Sequence, residues 1–145
     1  INKPNFTKPM IAHTALDANV IVFSLFPGVQ ENIVRHVLDA PELRSIVMRS
    51  FGSGNAPQKP WLMRLLKNAA ERGVIVVNIS QCVSGQVEMS RYDAGYQLKD
   101  AGVVSGFDST VEAAVTKLMF LQAQYHDFHI IRTFMNRSIA GEITI

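Results

Sequence analysis

A lone cysteine, Cys82, among 145 residues cannot close an intrachain disulfide or supply the thiolate cluster of a structural zinc site. This usage fits a reducing compartment, so the cytoplasm is the expected location. Long hydrophobic runs are also missing. The longest apolar stretches, near Val20–Phe26 and Val74–Val77, fall far short of the roughly 20 residues a membrane-spanning helix needs. Neither a secretory signal nor membrane association is expected. Charge is sparse too: charged side chains make up 18% of the chain, and a formal net charge of +2 is spread without a basic run. That distribution gives no electrostatic footprint for nucleic acid.

What is present is enough apolar material, 48% of residues, to bury the core of one compact domain. Three runs rich in β-branched residues, Val20–Phe26, Ser45–Phe51 and Val74–Ser80, read as strands buried on both faces. Helical periodicity fills the gaps. Val29–Asp39 places Val29, Ile33, Val37 and Leu38 on one face. Lys59–Arg72 does the same with Trp61, Leu62, Leu65, Leu66, Ala69 and Ala70, and it has Pro60 in its first turn and Gly73 at its stop. Strand starts about 25 to 30 residues apart with a helix in each gap indicate βαβ units and a parallel sheet.

The second half is more helical. A helix over Ser90–Ala101 ends at Gly102, and Val103–Gly106 leaves room for a short fourth strand. Ser109 and Glu112 have capping-box spacing ahead of a helix that turns Val115, Leu118 and Met119 inward, and another helix starts at Asp127. The first eighteen residues, with Pro4 and Pro9, read as a tail or the end of a linker. A start at Ile1 leads us to expect a fragment of a longer protein. The expected fold is α/β, a parallel sheet of about four strands with helices on both faces.

In such sheets ligands gather outside the carboxyl ends of the strands. Phe26–Gly28, Arg49–Gln58, Ser80–Met89 and Ser105–Ser109 occupy that position. Gly52-Ser-Gly54 invites comparison with a dinucleotide fingerprint, but Pro57 stands in the third glycine's place and no ribose-binding acid ends the next strand. The glycines do permit close backbone approach, with the Asn55 carboxamide either capping its own turn or facing a ligand or partner. Arg49 at the end of an apolar strand needs an anion, which a carboxylate ligand or a structural Asp or Glu would supply. Ser80 and Cys82 end the adjacent strand and line the same crevice, and with no base to activate Cys82 its thiol reads as packing. His126 and His129 lack a third ligand and read as solvated, not as metal ligands. Asp108 and Glu112 are explained by capping and the helix dipole before any acid–base role.

Three ordered blocks, Ile46–Gln58 (IVMRSFGSGNAPQ), Arg72–Cys82 (RGVIVVNISQC) and Gly106–Leu118 (GFDSTVEAAVTKL), together resemble the C-terminal domain of bacterial type I L-asparaginases. The resemblance runs from about Val20 to Glu142, so residues 1–18 become the end of an interdomain segment and 19–145 the domain, with a Rossmann-like fold. It implies a two-domain, cofactor-free amidohydrolase whose threonine nucleophile, second threonine and Lys–Asp pair all lie in an N-terminal domain. Their Thr-Gly-Gly-Thr and Asp-Gly-Thr-Asp motifs do not occur here. The chain alone is therefore expected to be inactive. Asn55 matches the asparagine that the family lends to a neighbouring subunit's active site in a dimer or tetramer. Arg49, Ser80 and Cys82 match positions where cytoplasmic members bind regulatory L-asparagine, which gives the ligand reading of Arg49 precedence. The acidic residue also lent by this domain is not placed, and Glu88 is a candidate only. Two alternatives remain: a stand-alone ligand-binding module of this fold, and the related subunit of a tRNA-dependent amidotransferase, whose RNA binding fits poorly with a charge of +2.

Overall fold

A computed structural model describes residues 9–89 and 93–144. The β-branched runs form strands β1 (Val20–Ser24), β2 (Ser45–Ser50) and β3 (Ile75–Ser80), and a two-residue β4 (Val104–Ser105) completes the sheet. Every neighbouring pair is parallel, in the order β1-β2-β3-β4. Parallel neighbours need crossovers, which α1 (Glu31–Leu38), α2 (Pro60–Glu71) and α3 (Asp93–Asp100) provide. Winding always in one direction stacks these three helices on one face. Helices α4 (Val111–Gln124) and α5 (Phe128–Met135) follow the last strand and cover the other face.

Each face has its own core. Ile46, Met48 and Val76 pack with Val34, Leu38, Leu62, Leu66 and Leu98 on the α1–α3 side. Val47, Val77 and Ile79 pack with Ala114, Leu118, Leu121, Ile131 and Met135 on the α4–α5 side. Strands β2 and β3 are thus buried on both faces, as their sequences predict. Strand β1 is not: it forms an edge, and Val22 is 45% exposed because an edge strand is shielded by a neighbour on one flank alone.

The helices also depart in detail from the sequence reading. In α1 the buried pair is Val34 and Leu38, one turn apart, whereas Ile33 faces outward at 49% exposure. The expected start of α3 at Ser90 lies outside the described residues. Helix α4 is capped by Thr110, whose hydroxyl accepts the Ala113 N–H at 3.2 Å, one residue later than the Ser109–Glu112 box predicts. Its buried face carries Ala114, Lys117, Leu118, Leu121 and Gln122, while Val115 and Met119 are only partly covered. Helix α5 is capped by Asp127, as expected. Among the described residues no helix is long and apolar enough to cross a membrane.

Two anchors fix the ends of the chain to this frame. Before β1, Asp17 accepts hydrogen bonds from Arg44 Nη1 at 2.7 Å and Asn19 N–H at 3.0 Å, and its own N–H donates to the Met119 carbonyl. The Asn19 amide and the Arg44 guanidinium hold the Asp17 carboxyl below its ordinary range. After α5, buried Lys117 donates to Glu142 Oε1 at 2.6 Å and to the carbonyls of Arg137 and Met135. An ammonium has three N–H donors, and here each one has an acceptor.

Candidate functional site at the carboxyl rim of the sheet

Strands wound in sequential order leave no point where neighbouring connections diverge, so the sheet has no ready crevice of the kind that holds ligands in doubly wound folds. The rim is instead built up by the loop after β2. Phe51 and Asn55 exchange N–H to carbonyl hydrogen bonds, both 2.8 Å, closing Gly52-Ser-Gly54 into a knuckle. Gly52 and Gly54 have φ of +49° and +104°, backbone angles that favour glycine. Helix α2 begins only at Pro60, which has no N–H to offer a phosphate.

All three carbonyls of the knuckle are held from below. Ser80 Oγ donates to the Gly52 carbonyl at 2.6 Å, the Glu88 N–H to that of Ser53 at 3.1 Å, and Asn78 Nδ2 to that of Gly54 at 3.0 Å. The sequence reading missed Asn78 and also Gln81, whose carboxamide joins the ends of β1 and β2 by donating to the carbonyls of Leu25 (2.6 Å) and Arg49 (3.0 Å). A signal for Asn78 was there: a buried carboxamide inside Val-Val-Asn-Ile must find a partner. Asn55 itself keeps its side chain free. The turn is closed by its backbone, and among the described residues its carboxamide makes no hydrogen bond, so it does not cap the turn.

The other candidates are less gathered than their positions in the sequence imply. Arg49 pairs in register with Ser24 and Ile79, so its side chain leaves on the α4 face, whereas Ser80 pairs with Ser50 and faces the α1–α3 side. Among the described residues no carboxylate lies within ion-pair distance of Arg49, although its charge acts on Glu112 from farther off. Its Nη1 lies 3.5 Å from Ser24 Oγ, and its buried Nε is unpaired. A half-buried guanidinium so poorly satisfied leaves room for an anion. The Ser80 hydroxyl has spent its only proton on Gly52 and accepts the Cys82 N–H at 2.9 Å, so it has only acceptor capacity left. Cys82 is an exposed free thiol, not the packing thiol that its sequence context suggests.

The acidic and histidine candidates have structural employment. Asp108 accepts the Thr144 N–H at 2.9 Å, and the Thr144 hydroxyl followed by that amide holds its carboxyl below the ordinary range and fastens Thr144 to the rim. Glu112 is held low by its own N–H and by the Thr110 hydroxyl, with the Arg49 charge adding to them, as its place in the first turn of α4 predicts. His126 is exposed, and His129 packs its ring against Phe128 with centroids 3.9 Å apart. Among the described residues no three His, Cys, Asp or Glu side chains converge as a metal ion requires. Glu88 lines an open cleft of about 430 Å³ beside β4, with Lys99 and Arg132.

This geometry can be compared with known proteins. The chain is 39% identical to L-asparaginase 1 of Escherichia coli strain K12 over 141 residues, covering 97% of this chain and 41% of that protein. Among solved structures, L-asparaginase I of Vibrio cholerae superposes with a TM-score of 0.84 at 41% identity, over 89% of this chain and 39% of that one. The thermostable L-asparaginase of Thermococcus kodakarensis superposes with a TM-score of 0.87 at 34% identity, over 99% and 43%. The chain thus spans about two-fifths of the length of these relatives. Residues 19–135 match the family model of the glutaminase/asparaginase C-terminal domain, and the chain belongs to that family.

Proposed function

We propose that this domain is the C-terminal part of a two-domain cytoplasmic L-asparaginase that hydrolyses L-asparagine to L-aspartate and ammonia. In that reaction a threonine hydroxyl from the N-terminal domain attacks the side-chain amide carbon, and the tetrahedral intermediate expels ammonia to leave an acyl-enzyme. Water then releases aspartate and restores the threonine. No group in this chain is the nucleophile. The domain's contribution is a rigid knuckle that presents Asn55 to the active site of a neighbouring subunit in a homo-oligomer. The observation that carries this reading is the free Asn55 carboxamide at the closing pair of a knuckle whose three carbonyls are all held. The chain by itself is expected to release no ammonia from L-asparagine, whereas a two-domain protein containing it does so. Ammonia production by the purified chain above a buffer blank would refute the division of labour.

The second element of the proposal is regulatory. L-Asparagine binds across the rim, with its carboxylate on Arg49 and its remaining groups toward Ser80 and Cys82. Because Arg49 and Ser80 leave opposite faces of the sheet, the ligand straddles the strand ends between them. Ser80, with only lone pairs to offer, receives the ligand's ammonium. Calorimetry on the two-domain protein is expected to resolve a binding event away from the active site that disappears in Arg49→Ala. The same heat in both proteins removes Arg49 from the site.

A further inference from the structure

We infer that Asn78 is a positioning residue for the Asn55 loop, its buried carboxamide fixing the Gly54 carbonyl and hence the direction in which Asn55 leaves the domain. This inference rests on the reading of Asn55 given above. Asn78 sits in the middle of β3 with no solvent exposure, between the strand's apolar residues Val77 and Ile79. A carboxamide there is costly unless it is paired. Only half of it is: Nδ2 donates to the Gly54 carbonyl at 3.0 Å, while Oδ1 has no partner. A valine at this position would suit the strand better, so the side chain contributes little to the sheet. Its one hydrogen bond goes to the knuckle.

That bond acts on a rigid lever. The Gly54 carbonyl and the Asn55 N–H belong to one planar trans peptide. Asn78 holds the oxygen end, and the Phe51 carbonyl holds the N–H end at 2.8 Å. With both ends fixed, the backbone leading into the Asn55 Cα has one orientation, and only the side-chain torsions of Asn55 stay free. Packing leaves no slack either: a Cβ added to Gly54 would lie 2.7 Å from Val87 Cγ1 and 3.3 Å from Asn78 Nδ2. The carbonyl of Asn78 meanwhile accepts the Gly106 N–H at 2.8 Å, so the same residue seats the loop after β4.

The test is a double-variant cycle in the two-domain protein, read as kcat and KM for L-asparagine. Displacing a group by about 1 Å costs on the order of 10²-fold, so Asn78→Ala is expected to lower kcat/KM about 10²-fold, with the same division between kcat and KM as Asn55→Ala. Because Asn78 acts through Asn55, the double variant is expected to be no worse than Asn55→Ala alone. Ile79→Val, on the same strand but the opposite face, is the control for mild destabilisation and is expected to match the parent. Should Asn78→Ala not fold, Gly54→Ala strikes the same contact from the loop side and is expected to give the same loss. A parental kcat/KM in Asn78→Ala, or in Gly54→Ala in its place, alongside a loss in Asn55→Ala, overturns this inference and leaves the loop reading standing. Losses that multiply in the double variant overturn it as well. A parental Asn55→Ala removes the loop reading itself, and this inference with it.

Discussion

Replacing Glu142 by Gln is expected to lower the stability of the domain by about 3–5 kcal/mol at neutral pH, the usual cost of leaving one partner of a buried ion pair alone. Lys117 is 4% exposed at its side chain and Glu142 14%, with 2.6 Å between charged atoms. The ammonium cannot turn to water, and its other acceptors are backbone carbonyls. Glu142 serves the tail as well, taking the N–H groups of Ile139 and Ala140. For a domain of this size the loss corresponds to a melting temperature lower by roughly 10 °C, measurable by circular dichroism. An unchanged melting temperature would show that the pair contributes nothing net.

The same pair sets an acid limit. Burial pushes the Glu142 carboxyl up, but hydrogen bonds from Lys117 and the amides of Ala140 and Ile139 outweigh it and bring the group from 4.5 down to about 2. A carboxyl whose folded pKa lies below its unfolded one stabilises the fold above the unfolded value, and that stability drains away as pH falls through the folded one. The interval is therefore about pH 4.5 to 2, and the stability at stake is at most roughly 3 kcal/mol. Acid titration of the parent is expected to steepen there, and Glu142→Gln to lose that slope. Equal slopes in both proteins would assign the acid sensitivity to other carboxylates.

Gly106→Ala is the second large effect. The site is tight, not strained: an added Cβ would meet Ile79 Cγ2 at 2.4 Å, the Asn78 carbonyl oxygen at 3.0 Å and Val77 Cγ1 at 3.2 Å. The backbone oxygen cannot retreat, because it already accepts the Gly106 N–H at 2.8 Å. Relief requires moving the end of β4 off β3, and overpacking of this kind costs about 1–3 kcal/mol. The damage also spreads along the rim, since Phe107 accepts the Val87 N–H and Val87 abuts Gly54. Hydrogen exchange is expected to quicken at the amides of Gly106 and Val87 while the amides of β1 keep their protection. Parental protection at both sites in Gly106→Ala would mean that β4 has more room than these distances allow.

Strands β2 and β3 and helix α2 were legible because burial on two faces, or on one helical stripe, writes itself into consecutive residues. Edge position is not written that way: β1 carries the same β-branched vocabulary as β3, and only the strand order exposes Val22. The rim was legible as a place but not as an arrangement. Arg49, Ser80 and Cys82 read as one crevice along the chain, yet inter-strand register sends Arg49 and Ser80 to opposite faces, and register depends on neighbours that a linear reading does not contain. Lys117 on the inner stripe of α4 signals a buried charge. Its partner lies 25 positions away in an irregular tail, where no periodicity points to it. The capping box at Ser109 and Glu112 is a fair local reading shifted by one, because Ser109 still belongs to a turn, its N–H returning to the Gly106 carbonyl, and α4 starts only at Val111.

The Asp17 anchor bears on how such a domain is wired into a larger protein. It grips the chain at the pole of the sheet where β2 begins, while Asn55 stands beyond the pole where β2 ends. Six residues at about 3.3 Å each separate those poles by roughly 20 Å. A polypeptide joined through Asp17 is thus moored at one pole, and whatever Asn55 addresses approaches the other. Tether and tool point in different directions. In the function proposed above, a domain wired this way serves a body other than the one that carries it, and assembly with a second copy is a condition of that function.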